Sequence, residues 1–317
     1  MEIDNKKSIL ITGGLGNLGS WLTYHFCTTG YDVTVLTKNI RKLEFSLPYK
    51  TVVCDITSPE ECKEALKDRY DIIIHTASMN DNFVEGYAKN ALLVNAYGTR
   101  NILESIKDNP PDHFIYLSTF HVYGIYSGRI TENTPLLPRN DYGATHLFAE
   151  YYVKQFHINH GTPYTIIRLS NSYGCPKDYD SSKWYLILND LSKMAFNENK
   201  IQLRGNGLAT RDFIWMGDVC DILLRITQND STNETYNLGG EKSYTLLDVA
   251  QGVKEAYESY FGKSIEIEVN KEDKSPARDP IIIDSTKLKK LVSYEAESHF
   301  KKEALNIFNF LKHERNE

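Results

Sequence analysis

Ser8-Ile-Leu-Ile-Thr-Gly-Gly-Leu-Gly-Asn-Leu-Gly-Ser20 is the stretch on which the reading of the chain turns. A short apolar run, Ile9 to Ile11, meets glycines at 13, 14, 16 and 19, and an amphipathic segment begins at Ser20. The pattern is strand, tight turn, helix. Gly14, Gly16 and Gly19 fit G-x-G-x-x-G, while Gly13, Gly16 and Gly19 fit the wider G-x-x-G-x-x-G. Glycine suits such a turn for three reasons: backbone angles closed to other residues, close approach to a pyrophosphate, and tight packing of helix on strand. The helix N-terminus adds free N–H groups and the positive end of its dipole. With a strand before it and a helix after it, the turn predicts a dinucleotide site cradled by Gly13, Gly16, Asn17, Leu18 and Gly19.

Repeated strand and helix patterns extend from that unit. Strands are predicted at Asp32 to Leu36, Thr51 to Cys54, Asp71 to His75, His113 to Leu117 and Tyr164 to Arg168. Helices are predicted at 59–68, with Ser58 as N-cap and Pro59 at the first position, at 85–107, and at 141–160 ending on Gly161. Such β-α repeats with short connections imply an α/β fold, a doubly wound parallel sheet of Rossmann type with sites at the carboxyl ends of its strands. After Pro176 the pattern loosens into a smaller mixed α/β cap, while 212–240 reads as a helix and strand returning to the main sheet. The expected division is therefore 1–175 plus about 212–240 for the dinucleotide, and about 176–211 plus 241–317 for a second domain. The lysine- and glutamate-rich tail from Lys301 reads as a solvated helix face.

At 317 residues the chain suits one large domain plus a smaller one. A formal charge of -6 leaves no basic field for nucleic acid or an anionic membrane. The five cysteines (27, 54, 62, 175 and 220) are odd in number, scattered and free of any C-x-x-C, so no metal site or disulfide framework is predicted and a reducing compartment fits. Met1 leads into the first strand without a signal-peptide pattern, and no apolar run reaches membrane-spanning length, so a cytoplasmic protein is expected.

Two constellations carry chemistry. The acidic residue that usually holds the adenosine ribose is missing from the end of the second strand, where Thr37-Lys38-Asn39 and Arg41 stand instead. Thr37 suits a ribose hydroxyl; Lys38 and Arg41 suit a 2′-phosphate, which means NADP, or are surface cations. Asp55, before Ile56-Thr57, suits the adenine amino group or the cap of the next helix. The second constellation is Ser118-Thr119 with Tyr142 and His146, the last two one helical turn apart. A phenol titrates near pH 10, so Tyr142 as a base needs a neighbouring cation, and His146 occupies that cation's place.

These residues resemble the extended short-chain dehydrogenase/reductases, specifically the NAD-dependent epimerase/dehydratase family acting on nucleotide sugars. Thr12 to Gly19 is similar to T-G-x-x-G-x-x-G, Asp55-Ile56-Thr57 to the adenine-contacting aspartate segment, and His75-Thr76-Ala77-Ser78 to the loop over the cofactor. Asn95 matches the asparagine that steadies the central helix, Ser118 to Gly124 the S-S/T-x-x-V-Y-G segment, and Tyr142 the tyrosine of Y-x-x-x-K. Arg168 to Gly174 resembles R-x-x-N-x-Y-G, with Asn171 at the substrate and Leu169 at the cofactor, and Arg211-Asp-Phe-Ile resembles the diphosphate-binding segment. Arg278 matches a second such arginine loosely. The chain departs from the family pattern twice: His146 replaces the lysine, and Phe120-His121 replaces the Asp-Glu pair of 4,6-dehydratases.

The resemblance implies an NAD(P) cofactor, NAD by family habit, and a nucleotide-sugar substrate of polysaccharide or surface-sugar biosynthesis held by the second domain. It implies that Tyr142 takes the C4 hydroxyl proton, Thr119 orients the oxygen and hydride leaves to the nicotinamide. A 4-dehydrogenase or 4-epimerase follows, or a C4 reductase running backwards; the missing carboxylate pair disfavours 4,6-dehydration. His121 is an extra acid or base, or a pocket-wall residue. The rival class is a non-catalytic cofactor-binding sensor or partner protein, against which Tyr142, Thr119, Asn171 and Arg211 count. A reductase of small carbonyl compounds is disfavoured by Arg211. Relatives commonly form homodimers through the two long helices.

Overall fold

The structure is a computed structural model that describes residues 6–41, 43–80, 85–178, 182–230, 232–277 and 279–316. Seven strands form its central sheet: β1 (Ser8–Thr12), β2 (Asp32–Thr37), β3 (Lys50–Val53), β4 (Ile72–His75), β5 (His113–Thr119), β6 (Tyr164–Leu169) and β7 (Glu234–Leu238). They lie in the order β7-β6-β5-β4-β1-β2-β3, every pair parallel. Alternation along β1 shows why: Ile9 and Ile11 enter one core with Leu22 and Phe26, while Leu10 enters the opposite core with Phe114 and Ile102. A strand buried on both faces needs an apolar residue at almost every position, which the Ile-Ile-Ile run of β4 supplies. The strand order reverses between β1 and β4, and a cleft opens at the carboxyl ends there.

Helix α1 (Asn17–Thr28) starts at Asn17 rather than Ser20, because Gly16 already supplies the extended N-cap. Helix α2 (Pro59–Ala65) is capped by Ser58, whose hydroxyl accepts from the Glu61 N–H at 3.3 Å. The helix expected over 85–107 spans 87–106, but Leu92–Gly98 within it is π-helical. There Thr99 Oγ1 donates to the Asn95 carbonyl at 2.6 Å, competing with the regular ladder. Helix α3 (Asp141–His160) is capped by Asn140 and ends at Gly161, whose φ of 71° suits glycine.

The cap has its own core. Leu188 and Leu191 of Ile187–Glu198, Val249 and Val253 of Leu246–Phe261, and Ile307 and Phe308 of Phe300–Asn316 meet there. The tail is thus solvated on one side only; on the other, Ala304, Ile307 and Leu311 are core. Glu303 is buried and accepts the Cys175 N–H at 2.7 Å. Among the described residues two small sheets stitch the cap to the rest, one joining Asn171–Tyr173, Thr210–Trp215 and Ser243–Thr245, the other pairing Ile281–Ile283 with Gly128–Ile130. Among the described residues no helix is long and apolar enough to cross a membrane.

Candidate active site

The cleft at the switch point is a cavity of about 690 Å³ that runs from the glycine turn past the ends of β2, β4, β5 and β6 to the cap. Gly13, Gly16, Asn17, Leu18 and Gly19 line one end. Gly13 has a φ of 67°, and a Cβ on it would lie 2.8 Å from the Ala77 Cα. A Cβ on Gly19 would lie 2.0 Å from the Gly13 carbonyl oxygen. The turn therefore closes only on glycine, and it leaves the first-turn N–H groups of α1 facing the cavity end. That cradle of donors fits a pyrophosphate; Asn17 Oδ1, an acceptor buried without a hydrogen-bond partner among the described residues, calls instead for a donor.

Further along the wall come Thr37, Lys38, Asp55, Ile56, Thr76, Ala77, Ser78 and Leu169, all at the cavity as expected. Several of their polar groups are already engaged. Thr37 Oγ1 donates to the Asn39 carbonyl at 2.9 Å. Asp55 Oδ1 accepts from the Thr57 N–H and hydroxyl, and its Oδ2 pairs with Lys38 Nζ at 2.6 Å. Ser58, not Asp55, caps α2. Arg41 pairs with buried Asp178 at 2.6 Å. Asn95 does not line the cavity; its side chain holds Met79 by both backbone groups, at 2.7 and 3.1 Å, and so fixes the loop that does.

At the other end Tyr142, on the first turn of α3, presents part of its ring to the cavity. Burial and the nearby Tyr87 push its phenol well above the ordinary value, against a smaller opposing effect of the neighbouring Thr119 side chain. His146 does not supply the expected cation. Its ring sits 4.5 Å from that of Tyr142, edge to face, but burial together with His75 and His121 holds its imidazole down to about 3, so it is neutral at pH 7. Its Nδ1 meets the Tyr116 hydroxyl at 2.8 Å, and its Nε2 is buried with no partner among the described residues.

Ser118, expected at the substrate, touches the cavity, but its hydroxyl donates to Glu150 at 2.6 Å, inside a buried network. Arg168 grips Glu150 with two bonds of 3.0 and 2.7 Å and donates to Tyr123, which in turn donates to Asn237 at 2.6 Å. Alternation along β5 explains it, since Thr119 faces the cavity and Ser118 the helix behind. Phe120 is buried in a small core, so that position supplies no acid. His121 lines the cavity; burial and the Arg211 guanidinium hold it down to about 4, and its Nδ1 is unpartnered among the described residues.

Asn171 and Arg211 line the same cavity, the Asn171 amide donating to the Asp212 carbonyl at 2.8 Å. Arg278 lies outside the described residues. The sequence reading missed Asn80, Lys183 and Tyr185, which face the same cavity and join through Lys183 Nζ to Asn80 Oδ1 at 2.8 Å. The last two stand in the segment after Pro176, where no motif flags them. No group of three or more His, Cys, Asp or Glu among the described residues could hold a metal ion.

The model of the NAD dependent epimerase/dehydratase family matches residues 9–239. The chain belongs to this family. It is 27% identical to the low-salt glycan biosynthesis protein Agl12 of Haloferax volcanii, over 89% of this chain and 92% of that protein. It is also 27% identical to the dTDP-glucose 4,6-dehydratase of Neisseria gonorrhoeae, over 80% of this chain and 78% of that one. In fold it is similar to the UDP-glucuronic acid 4-epimerase of Bacillus cereus in complex with NAD, with a TM-score of 0.80, 22% identity, and coverage of 96% and 99% of the two chains.

Proposed function

We propose that this family member oxidises a nucleotide-activated sugar at C4, as a 4-dehydrogenase or 4-epimerase of surface-sugar or polysaccharide synthesis in the cytoplasm. The observation that carries the reading is that Tyr142, Thr119, Asn171 and Arg211 line the same cleft as the glycine turn. Bound nicotinamide supplies a hydride acceptor. Tyr142 accepts the C4 hydroxyl proton, Thr119 holds the oxygen by hydrogen bonding, and Arg211 neutralises the diphosphate. Dehydration at C5 and C6 has no acid in Phe120, whose ring is buried in apolar contacts. The same groups run a C4 reduction in reverse, with Tyr142 as the proton donor. Mixing the protein with NAD and a panel of GDP-, UDP-, dTDP- and CDP-sugars, and following nicotinamide absorbance with analysis of products, tests the reading. Failure of every sugar to react or to bind would overturn it.

NAD is the cofactor we infer over NADP. Lys38 and Arg41 are the cations nearest the missing ribose acid, and the carboxylates of Asp55 and Asp178 already neutralise them. A 2′-phosphate would have to break at least one pair. Titration with both dinucleotides decides; tighter binding of NADP would refute the inference.

We also propose a homodimer. The 87–106 helix exposes Leu92 and Tyr97, and α3 beside it exposes Phe148 and Tyr151, each with 42–58% of its surface in solvent. Two such faces in contact would bury a continuous apolar patch. A monomeric mass by light scattering at micromolar concentration would contradict it.

A further inference from the structure

The replacement of the family lysine by His146 leaves a neutral ring at the reacting end of the cleft, and the residues behind it show how that ring is held. Tyr116 stands on β5 with its ring buried between two imidazoles, 5.6 Å from His75 and 5.9 Å from His146, each tilted by only 29°. The hydrogen bonds around this stack fix where its protons lie. Thr99 donates its hydrogen to the Asn95 carbonyl, which only accepts. The contact of 2.9 Å between His75 Nε2 and Thr99 Oγ1 is therefore a donation from the imidazole, and His75 Nδ1 accepts from Thr12 Oγ1 at 2.6 Å. His75 is thus committed on both sides.

His146 Nδ1 meets the Tyr116 hydroxyl at 2.8 Å. Between a neutral phenol and a neutral imidazole the phenol is the stronger acid and the ring nitrogen the stronger base, so the O–H donates to Nδ1. The imidazole hydrogen then sits on Nε2. That atom is buried, has no partner among the described residues, and belongs to a side chain that lines the cavity beside Tyr142. A buried N–H left without an acceptor is costly in a finished core, which points to a ligand oxygen as its intended partner.

We propose that Tyr116 is a positioning residue that holds His146 in its Nε2–H form, so that a neutral N–H faces the cavity as donor to a ribose hydroxyl of the bound nicotinamide dinucleotide. The inference rests on the reading of the cleft as a dinucleotide site and assigns a role to two residues that the family pattern does not contain. Tyr116 touches neither substrate nor cofactor in this scheme; it acts through His146.

Tyr116→Phe keeps the ring stack and removes only the hydroxyl, and a melting temperature close to that of the parent checks that it folds. The first readout needs no cofactor: nitrogen-15 NMR of the histidines should show a protonated Nε2 and a bare Nδ1 on His146, with the Nδ1 signal moving in Tyr116→Phe. The second is NAD affinity by calorimetry. Tyr116→Phe should weaken it by roughly fivefold to tenfold, the worth of about one hydrogen bond. In a His146→Ala background the same substitution should change NAD affinity by less than about twofold, since nothing remains for Tyr116 to position. A proton on Nδ1, unchanged NAD affinity in Tyr116→Phe, or losses that multiply in the double variant would overturn the proposal. Failure of the parent protein to bind either dinucleotide would instead defeat the reading of the cleft, and the NMR result would still decide the proton's position.

Discussion

The two ends of the cleft are built by different means. At the glycine turn the shape is made of backbone: Gly13 bends where side chains do not, and Gly19 lets the helix start against the turn with no room for a methyl group. At the tyrosine end the shape is made of side chains gathered from separate elements, with Tyr142 and His146 from α3, Tyr116 and Thr119 from β5, and His75 from β4. A backbone-built site tolerates no change in its few glycines but asks little of its neighbours. A side-chain-built site depends on the residues packed behind it, as His146 depends on Tyr116.

That contrast sets the order of the expected effects. Tyr142→Phe should reduce turnover by about 10³-fold, within the usual range for a lost acid or base, while NAD affinity stays within about twofold; steady-state rates and calorimetry check both halves. Gly19→Ala should do the reverse at the far end, weakening NAD binding by roughly 100-fold and lowering the melting temperature, because its methyl group would sit 2.0 Å from the Gly13 oxygen. If either substitution damaged both ends equally, the cleft would be one cooperative unit and the contrast would fail. Arg211→Ala should raise the KM for the nucleotide sugar by roughly 10- to 100-fold with little change in kcat, as expected for a lost charge-assisted contact.

Smaller effects concern protons. Burial raises the Tyr142 phenol, so the rate of sugar oxidation should climb with pH across the neutral and alkaline range as more phenolate forms. His146→Lys would place an ammonium beside that phenol and should move the rising limb toward lower pH by about one unit. An unshifted limb would mean that the position of the charge does not control the tyrosine. Stability has the opposite origin. His75 and His146 are held down to about 3, below an unfolded value near 6.5, so the folded chain binds fewer protons than the unfolded one between those values. Their neutral forms thus contribute stability that is present above pH 6.5 and is lost as pH falls toward 3. Melting temperatures measured from pH 7.5 to 4.5 should fall steadily, and His146→Gln should flatten the slope by up to about 1.4 kcal/mol per pH unit.

The glycine end was legible in the sequence because its constraints are local. Strand, turn and helix lie within residues 8–28, and the parallel sheet follows from repeated units of that kind. The place of Thr119 at the cavity followed from the rule that sites gather at strand ends, whereas Asn171 and Arg211 were expected there from the family resemblance. Roles that depend on distant partners were not legible. Tyr116 is 30 positions from His146, and Asp178 is 137 from Arg41. Neither pair has a spacing that a pattern could reveal. Ser118 looked like its neighbour Thr119 in sequence, and only the strand's alternation sends one hydroxyl to the cavity and the other to Glu150. The charge of His146 was likewise set by burial, which the sequence does not display.

The claim that this cleft oxidises C4 without dehydrating the sugar is tested most directly by the mass spectrum of the product formed from a nucleotide sugar carrying deuterium at C4. The account predicts a product lighter by one hydrogen and one deuterium, the released 4-keto sugar, or one of unchanged mass with the C4 configuration inverted, and neither with Tyr142→Phe. A product lighter by one water, or a sugar recovered with both its mass and its C4 configuration unchanged, would contradict it.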